Sequence, residues 1–248
     1  MWRLLDLEYE DPYKNMAVEE GLLTAIERSL SPNTLRVWRN ENSVIIGRSQ
    51  HLETEVDLEA CRKYGTLVVR RFTGGGAVYQ DRGNLNWTII FRRNDIPFSH
   101  KNMFDIFNLM GEVIVECLKN VGLDAEFKSP NSVYVQGKKV SGMAAYCKRS
   151  SMLCHGTLLL KTDLTILSDV LSNKKFEVTT LEHELGKSVP AKYIKEILVN
   201  NFVKKFNVKI RKSSLSKEER KIVNSLFKIK YLEDKETFCT ILTKGFNK

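Results

Sequence analysis

A glycine-rich segment that follows two arginines is the part of the sequence best suited to chemistry. Residues 70–79 read RRFTGGGAVY, so a β-rich run leads through Arg71 directly into three glycines. Residues without side chains let a ligand approach the backbone, whose amide groups can donate to phosphate or carboxylate oxygens. A planar guanidinium suits bidentate contact with the same oxygens. The segment matches neither a P-loop nor a GxGxxG fingerprint, and a hairpin with surface arginines is the structural alternative.

Two further segments could supply a cation and a titratable ring. Residues 137–142 read GKKVSG, and residues 154–160 read CHGTLLL. A lysine at the mouth of a glycine-lined pocket can stabilise charge that develops on a phosphate or carboxyl oxygen. Taken singly, a lysine in a hairpin is usually solvated, and a histidine such as His155 is more often a structural hydrogen-bonding residue than a base.

Short strands and a few helices must position these segments. Apolar and β-branched runs predict strands at residues 35–38, 43–47, 66–71 and 84–91, a hairpin around Gln136-Gly137, and a strand over residues 152–160 interrupted at His155-Gly156. Helical spacing predicts a helix that Asn15 caps, a long one over residues 102–120, a further one from about Ala191, and another that Ser216 opens.

Composition sets the class of protein. With 248 residues, 42% of them hydrophobic, the chain is expected to form one domain rather than a disordered, collagen-like or disulfide-rich structure. The five cysteines lack any CxxC or nearby Cys/His pattern, which favours reduced thiols, and no run is apolar enough for a membrane helix. We therefore expect a cytoplasmic protein that uses neither a membrane nor a metal held by its own side chains.

The basic charge is confined to one part of the chain. Residues 201–248 hold 13 Lys+Arg against 5 Asp+Glu, which accounts for most of the net charge of +9. The expectation is a body over residues 1–190 that holds the three chemical segments, and a basic helical segment over residues 191–248 that continues the same domain. Nothing in this pattern would enter a nucleic-acid groove, so we expect the basic segment to attract protein partners and no nucleic acid.

Together the three chemical segments resemble the large catalytic domain of the lipoate–protein ligase A family. The resemblance rests on residues 70–86 (RRFTGGGAVYQDRGNLN), residues 139–142 (KVSG) and residues 155–159 (HGTLL), in the same order and spacing, and it extends over roughly residues 1–200. It implies an α+β fold, with a mixed, mainly antiparallel sheet and flanking helices, of the biotin/lipoate ligase catalytic-domain type related to class II aminoacyl-tRNA synthetases.

The resemblance also implies a reaction in two steps. Lipoate attacks the α-phosphate of ATP, with Mg²⁺, to give lipoyl-adenylate, and an acceptor lysine then takes the lipoyl group. The implied acceptors are lipoyl domains of 2-oxoacid dehydrogenase E2 subunits and the glycine cleavage H protein. Because 248 residues leave no room for the accessory domain that many relatives carry, we expect a separate accessory protein and poor activation of free lipoate by this chain alone.

Carried over by position, the resemblance implies a role for each motif residue. Lys139 is the expected catalytic residue, and it would bridge the lipoyl carbonyl and the phosphate. The implied ATP and adenylate contacts are Arg71, Gly75, Gly76, Ala77, Val78, Tyr79 and Lys139, and the implied lipoate contacts are Lys139, Gly142 and His155. An apolar slot for the acyl chain is expected from Val44, Ile46, Val78 and Leu158.

The chain departs from the family pattern at two places. Gln80 stands where many members have histidine; its amide can donate a hydrogen bond but cannot titrate. The stretch that folds over the adenylate in relatives corresponds to residues 179–189, which here are acidic and lack the usual arginine.

Two other functions remain open from the sequence. A related octanoyltransferase or lipoyl amidotransferase would need a cysteine nucleophile, for which Cys147 and Cys154 are the nearest candidates. A non-catalytic protein that binds lipoyl-adenylate or the acceptor is the alternative of another class. The retained Arg71, glycine triplet and Lys139 favour an enzyme over this second alternative.

Overall fold

An eight-stranded sheet forms the centre of the computed structural model, which describes residues 1–96, 102–173 and 176–244. Its strand order is β11-β1-β2-β6-β10-β9-β8-β7. Only β1 pairs in parallel, with β2 and β11, and the other neighbours are antiparallel, which confirms the predicted mixed, mainly antiparallel sheet. The strands are β1 (Trp2–Leu5), β2 (Thr34–Trp38), β6 (Asn84–Arg92), β7 (Ala125–Lys128), β8 (Ser132–Val135), β9 (Lys138–Cys147), β10 (Ser151–Leu159) and β11 (Ile210–Lys212).

A second sheet of three strands carries the glycine-rich segment. Its order is β4-β3-β5, and the strands are β3 (Ser43–Ile46), β4 (Leu67–Arg70) and β5 (Val78–Gln80). The central strand β3 pairs in parallel with β4 and antiparallel with β5. The glycine loop, residues 71–77, therefore connects the two outer strands across the end of β3.

Helices cover both faces of the large sheet. On one face, α4 and α7 enclose a core with the sheet, and on the other face α1 lies against β6 and β10. The helices are α1 (Pro12–Glu27), α2 (Leu52–Glu55), α3 (Leu58–Tyr64), α4 (Met103–Lys119), α5 (Leu164–Val170), α6 (Leu181–Leu185), α7 (Ala191–Phe206), α8 (Lys217–Leu226) and α9 (Leu232–Lys244). None of the helices in the described ranges is long and apolar enough to cross a bilayer.

The predicted helix starts are correct with one exception. Asn102 and Ser216 cap α4 and α8 with capping boxes, and α7 begins at Ala191. The prediction that Asn15 caps the first helix is wrong, because Asp11 accepts from the amides of the first turn and Asn15 is buried inside α1. Its polar side chain suggested a cap, whereas it serves a buried hydrogen-bond network.

The strand that carries His155 runs without a break. The predicted interruption at His155-Gly156 is wrong, since both residues pair with β6 and with β9. Gly156 is needed there for packing rather than for a turn: a Cβ at this position would lie 2.4 Å from the ring of Trp87. Close approach of an aromatic ring is another reason for glycine within a strand.

The basic C-terminal segment is more than a set of helices. It contributes β11 to the edge of the large sheet, and a π-helical turn (Phe227–Tyr231) joins α8 to α9. Glu219 of α8 accepts two hydrogen bonds of 2.7 Å from the guanidinium of Arg3 in β1, and both side chains are buried. The segment is thus fastened to the first strand of the body by a bidentate ion pair.

Candidate active site

The guanidinium of Arg71 organises the glycine loop from inside. It donates to the carbonyls of Gly74 and Gly76 at 2.7 and 2.8 Å, to that of Ile45 at 2.9 Å, and to the Thr73 hydroxyl at 3.0 Å. Burial lowers its pKa to about 10, which leaves the group charged at neutral pH. Arg71 therefore fixes the loop in a shape whose carbonyls turn inward to the guanidinium.

The loop then presents its amide groups outward. In the described chain, the amides of Gly75 and Gly76 have no hydrogen-bond acceptor, and both residues are exposed. Gly75 adopts a φ of +90°, and a Cβ there would lie 3.1 Å from the Arg71 guanidinium. Gly47, at the end of β3, could not carry a side chain either, because a Cβ would lie 2.1 Å from the Gly75 carbonyl. The loop is therefore a close-fitting turn with free donors.

Lys139 of the large sheet lines the same cavity as this loop. It lies near the start of β9, and no carboxylate of a described residue lies within ion-pair distance of its ammonium group. Burial lowers its pKa. Its neighbour Lys138 instead pairs with Glu184 at 3.5 Å. A half-buried cation without an acidic partner is a typical binding group for an anionic ligand.

The side chain of Lys139 lies between a glycine and an aromatic ring. A Cβ on Gly142 would lie 3.0 Å from its Cε atom, so the absence of a side chain at Gly142 gives the lysine room. Its ammonium group stands 4.6 Å from the ring centroid of Phe176, which is 55% exposed. The chain after Phe176 is held to the same strand by two backbone hydrogen bonds. The backbone amide of Lys139 donates to the Glu177 carbonyl at 2.8 Å, and the backbone carbonyl of Lys139 accepts from the Thr179 amide at 3.0 Å.

Two cavities meet at Lys139. The first has a volume of about 430 Å³ and reaches inward from the glycine loop to buried Met16, Trp38 and Ile45. The second has a volume of about 400 Å³ and is bounded by β5, the start of β9 and the apolar side chains of α5. Lys139, Gly142 and Phe176 line both. A ligand with an apolar arm, an anionic centre and a second bulky group would fit this arrangement.

A buried polar chain supports the glycine loop from the side of α1. The carboxylate of Glu19 accepts from Nδ1 of His155 at 2.9 Å, and Nε2 of that ring lies 2.9 Å from the Thr73 hydroxyl. Burial would raise the pKa of Glu19, but the adjacent His155 and Arg36 outweigh it and hold the pKa below its usual value. His155 is thus connected to the loop through Thr73, which also accepts from Arg71.

All of the motif residues predicted for the site line one cavity or the other. The first is lined by Arg71, Gly75, Gly76, Ala77, Val78, Lys139, Gly142 and His155, and the second adds Tyr79. The structure thus brings these residues together, while their individual ligand contacts remain predictions. The guanidinium of Arg71 already donates hydrogen bonds to protein atoms. The predicted contact with a phosphate would be an additional role for this guanidinium.

The predicted apolar slot is mostly wrong. Val44, Ile46 and Leu158 are fully buried in the two cores and line neither cavity, whereas Val78 lines both. Side chains alternate between the two faces of a strand. The first cavity is therefore lined by Ile45, which lies between Val44 and Ile46, and by Thr157, which precedes Leu158.

Several residues of the site are not among those predicted from the sequence. Trp38, Asn86 and Met16 line the inner end of the first cavity, and Glu19 supports His155. A signal existed for α1, because Asn15 and Glu19 stand four residues apart on a helix that is otherwise apolar on that side. Phe176 carries no such signal, since its place over Lys139 depends on the path of the chain after α5.

The cysteines lie away from both cavities. Cys154 is buried within β10, and burial raises the pKa of its thiol well above the usual value. Cys147, at the end of β9, is exposed as a residue, but partial burial of its thiol raises the pKa of this group as well. A thiol nucleophile requires a lowered pKa and access to the substrate. Within the described residues no cysteine lines either cavity, and no group of three metal-ligating side chains occurs.

Comparison with known sequences places the chain in one family. The model of the family "Lipoyl protein ligase A/B catalytic domain" matches residues 11–203. A probable lipoate-protein ligase A of Mycoplasma pneumoniae is 36% identical over 169 residues, which is 68% of this chain and 48% of that protein. Lipoate-protein ligase A subunit 1 of Thermoplasma acidophilum is 30% identical over 237 residues, 88% of either protein. An octanoyltransferase of Geobacillus kaustophilus is 28% identical over 96% of this chain and 98% of its own length.

Solved structures show the same fold. A T. acidophilum protein with bound lipoic acid superposes with a TM-score of 0.83 at 29% identity, over 93% of this chain and 96% of that one. A bi-partite lipoate protein ligase from that organism, described with its E2 lipoyl domain, gives 0.81 at 31% identity over 93% of each chain. A lipoate-protein ligase A bound with ATP gives 0.82 at 29% identity over 93% of this chain and 95% of that one. The chain spans about half the length of the M. pneumoniae relative and most of the T. acidophilum one, and it belongs to the family of the lipoyl protein ligase A/B catalytic domain.

Proposed function

We propose that this chain is a lipoate–protein ligase that forms lipoyl-adenylate from lipoate and ATP and transfers the lipoyl group to a lysine of an acceptor domain. The observation that carries this proposal is Lys139, a half-buried cation at the junction of two cavities that has no acidic partner among the described residues. Lipoyl-adenylate has the matching shape, because an acyl chain and a nucleoside are joined there by an acyl phosphate.

The two cavities suggest how this intermediate is held. The first cavity takes the lipoyl group, since its inner end is formed by apolar Met16, Trp38 and Ile45. The second takes the adenosine, since β5 and the chain around Val178 offer it backbone groups beside the apolar side chains of α5. The phosphate then lies at Lys139, in the same cavity that Gly75 and Gly76 of the glycine loop line.

The chemistry follows from these positions. A lipoate carboxylate oxygen bonds to the α-phosphorus of ATP, and the bond from that phosphorus to the pyrophosphate oxygen breaks. The amine of the acceptor lysine later bonds to the acyl carbon, and AMP departs as the amine loses a proton. Lys139 stabilises the negative charge on the phosphate and acyl oxygens in both steps. A Mg²⁺ ion bound together with ATP would supply neutralisation of the phosphate charge.

We further propose that the chain works in the cytoplasm with protein partners. The acceptors are lipoyl domains of 2-oxoacid dehydrogenase E2 subunits and the glycine cleavage H protein. A separate accessory protein completes lipoate activation, which the subunit naming and the bi-partite structure of the T. acidophilum relatives support. The catalytic body ends near residue 190, and residues 191–248 continue the same domain as the basic surface for these partners.

The basic segment keeps part of its charge available for partners. Lys205 and Lys212 form ion pairs with Glu112 and Asp6, while Lys204 and Arg211 are exposed and take part in no ion pair with a described residue. Lys204 and Arg211 are therefore available to attract an acidic acceptor, as are the exposed Lys209, Lys217 and Lys221 of the same segment.

One experiment tests the proposal. The purified chain is incubated with an apo lipoyl domain and either synthetic lipoyl-adenylate or lipoate, ATP and Mg²⁺, and the acceptor is weighed as an intact protein. The acceptor should gain one lipoyl group from the adenylate, and gain it more slowly from lipoate and ATP when no accessory protein is present. No gain from either donor would contradict the proposal.

The octanoyltransferase relative favours one second candidate, a cysteine-dependent acyl transfer without ATP. The structure offers little support for it, because Cys147 and Cys154 line neither cavity and both have raised pKa values. Acyl transfer to the acceptor from an octanoylated carrier protein, without any nucleotide, would favour this second function. Binding of lipoyl-adenylate without any transfer would instead favour the non-catalytic alternative.

A further inference from the structure

A chain of buried amide side chains ends at the first cavity. Asn15, Asn40 and Gln80 follow one another, and all three are buried. Nδ2 of Asn15 lies 2.8 Å from Oδ1 of Asn40, and Nδ2 of Asn40 lies 2.7 Å from Oε1 of Gln80. We call these three residues the amide chain.

Arg36 determines which way every amide of this chain points. Its guanidinium can only donate, and it donates to Oδ1 of Asn15 at 2.7 Å, as does the backbone amide of Tyr9 at 3.0 Å. Asn15 must therefore present its NH₂ group to Asn40, which must in turn present its own to Gln80. Nδ2 of Asn86 also donates to Oε1 of Gln80, at 3.2 Å. The oxygen of Gln80 thus has two donors, and its orientation is fixed.

The NH₂ group of Gln80 is left facing the first cavity. Gln80 lines this cavity and is only 5% exposed, and its Nε2 has no hydrogen-bond acceptor among the residues that the structure describes. Its neighbours along the cavity wall are buried Trp38, Asn86 and Met16, whereas Gly75, Gly76 and Phe176 at the other end are exposed. Among the described residues, the NH₂ group of Gln80 is therefore a hydrogen-bond donor without a partner at the inner end of the first cavity, near the apolar side chains of Met16 and Trp38.

We propose that Gln80 is a specificity-determining residue that donates a hydrogen bond to an acceptor at the far end of the bound acyl group, and so selects a dithiolane ring over a plain alkyl end. This inference rests on the proposed function, which places the acyl group in the first cavity. With the carboxylate near Lys139, the far end of lipoate lies at the inner end of the cavity. Its sulfur atoms are weak acceptors, while the methyl end of octanoate accepts no hydrogen bond.

The unpaired NH₂ group of Gln80 makes an alkyl end unfavourable in this cavity. When an alkyl end fills the chamber and displaces water, the NH₂ group of Gln80 loses its hydrogen bonds and gains none. A dithiolane sulfur accepts a hydrogen bond from this NH₂ group and so offsets part of the lost hydrogen-bond energy. A site that contains a buried polar group discriminates against analogues that cannot pair with it more strongly than an apolar pocket does.

The test compares two acids of the same shape. Lipoic acid and its carbocyclic analogue, cyclopentyl-pentanoic acid, differ in whether the ring carries sulfur, and calorimetry gives the Kd of each for the intact chain. The wild-type chain should bind lipoic acid about tenfold more tightly than the carbocycle, as expected for one hydrogen bond that satisfies a buried donor. This comparison needs no variant, so it stands even where a substitution disturbs folding.

Three variants then assign the preference to Gln80. Gln80→Met removes the donor and should bring the ratio of the two Kd values close to one. Gln80→His keeps one donor and one acceptor and should retain the preference. Gln50→Met is the matched control, because Gln50 also lines the first cavity but accepts from the amide of Gly47 at the glycine-loop end; its ratio should equal that of the wild type.

The outcomes separate this inference from the proposed function. Equal Kd values in the wild type, or an unchanged preference in Gln80→Met, would overturn the role of Gln80 while the ligase proposal stands. If the wild-type chain bound neither acid and accepted no lipoyl-adenylate, the proposed function would fail, and the inference with it.

Discussion

Burial of Lys139 sets the pH range in which its ammonium group can bind an anion. A lysine is charged below its pKa, and burial lowers the pKa of Lys139 from the ordinary value of 10.5. The positive charge is therefore lost at a lower pH than on a solvated lysine. We predict that the affinity for a non-hydrolysable lipoyl-adenylate analogue falls on the alkaline side, with a midpoint below 10.5.

The substitution Lys139→Arg provides the control for this titration. A guanidinium keeps its charge to higher pH, so the decline should move upward in this variant even if affinity is lower throughout. Fluorescence titration of the analogue across the alkaline range measures both proteins. A decline that is the same in the variant as in the wild type would assign it to another group.

The residues of the three chemical segments could be assigned to the site from the sequence, because such segments rarely occur in this order by chance. The residues that support them could not be assigned in this way. Arg71, Lys139 and His155 all line a cavity as expected. The errors at Val44 and Leu158 are errors of strand face, since one step along a strand moves a side chain to the other side. The role of Gln80 depends on Arg36 and two asparagines distant in sequence, a relation that only the tertiary structure brings out.

The glycine loop depends on Gly75 more than on the neighbouring glycines. Gly75 has a φ of +90° and abuts the Arg71 guanidinium, while a Cβ on Gly74 would meet nothing within 4 Å. We predict that Gly75→Ala weakens binding of the adenylate analogue about tenfold, because an alanine strains the backbone at positive φ. Gly74→Ala is the matched control and should bind within a few fold of the wild type.

Calorimetry of both variants measures the difference. If Gly74→Ala were as damaging as Gly75→Ala, the loop would require small residues throughout, and the positive φ of Gly75 would not be the cause. Thermal unfolding of each variant shows whether the loss is confined to the loop, as we expect from its position at the end of the small sheet.

Local pattern predicted most elements but not how they pair. The long helix α4 and the hairpin of β8 and β9 follow from apolar spacing and from turn residues, and both are confirmed. The strand β11 was missed because its three residues, IRK, are too short and too polar to show alternation. It exists because β1 offers it a free edge, which is a property of the assembled sheet.

For the whole molecule, the ion pair between Arg3 and Glu219 fastens the C-terminal segment to the body. Burial would raise the pKa of Glu219, but the hydrogen bonds from Arg3 outweigh it and the pKa is lowered. A carboxyl whose pKa is lower in the folded state adds stability above its unfolded pKa and loses that contribution as the pH falls through the folded value. The segment should therefore loosen in acid.

We predict that Glu219→Ala lowers the free energy of unfolding at neutral pH by about 3–5 kcal/mol, because it leaves the buried Arg3 charge without its partner. The neighbouring exposed residue gives the control, Glu218→Ala, which should change it little. Urea denaturation at neutral and acid pH measures both. Equal stability of the two variants would mean that apolar packing alone holds the segment in place.

In the proposed reaction Lys139, where the two cavities meet, stabilises the acyl phosphate of lipoyl-adenylate. The most direct test is single-turnover transfer from preformed lipoyl-adenylate to an apo lipoyl domain, followed by intact mass. Lys139→Ala should transfer about 10²–10³-fold more slowly than the wild type, as expected for loss of a group that stabilises charge in the transition state. Lys138→Ala is the control, since Lys138 pairs with Glu184 and lines neither cavity, and it should react within a few fold of the wild type. Transfer by Lys139→Ala at a rate close to that of Lys138→Ala would contradict the claim.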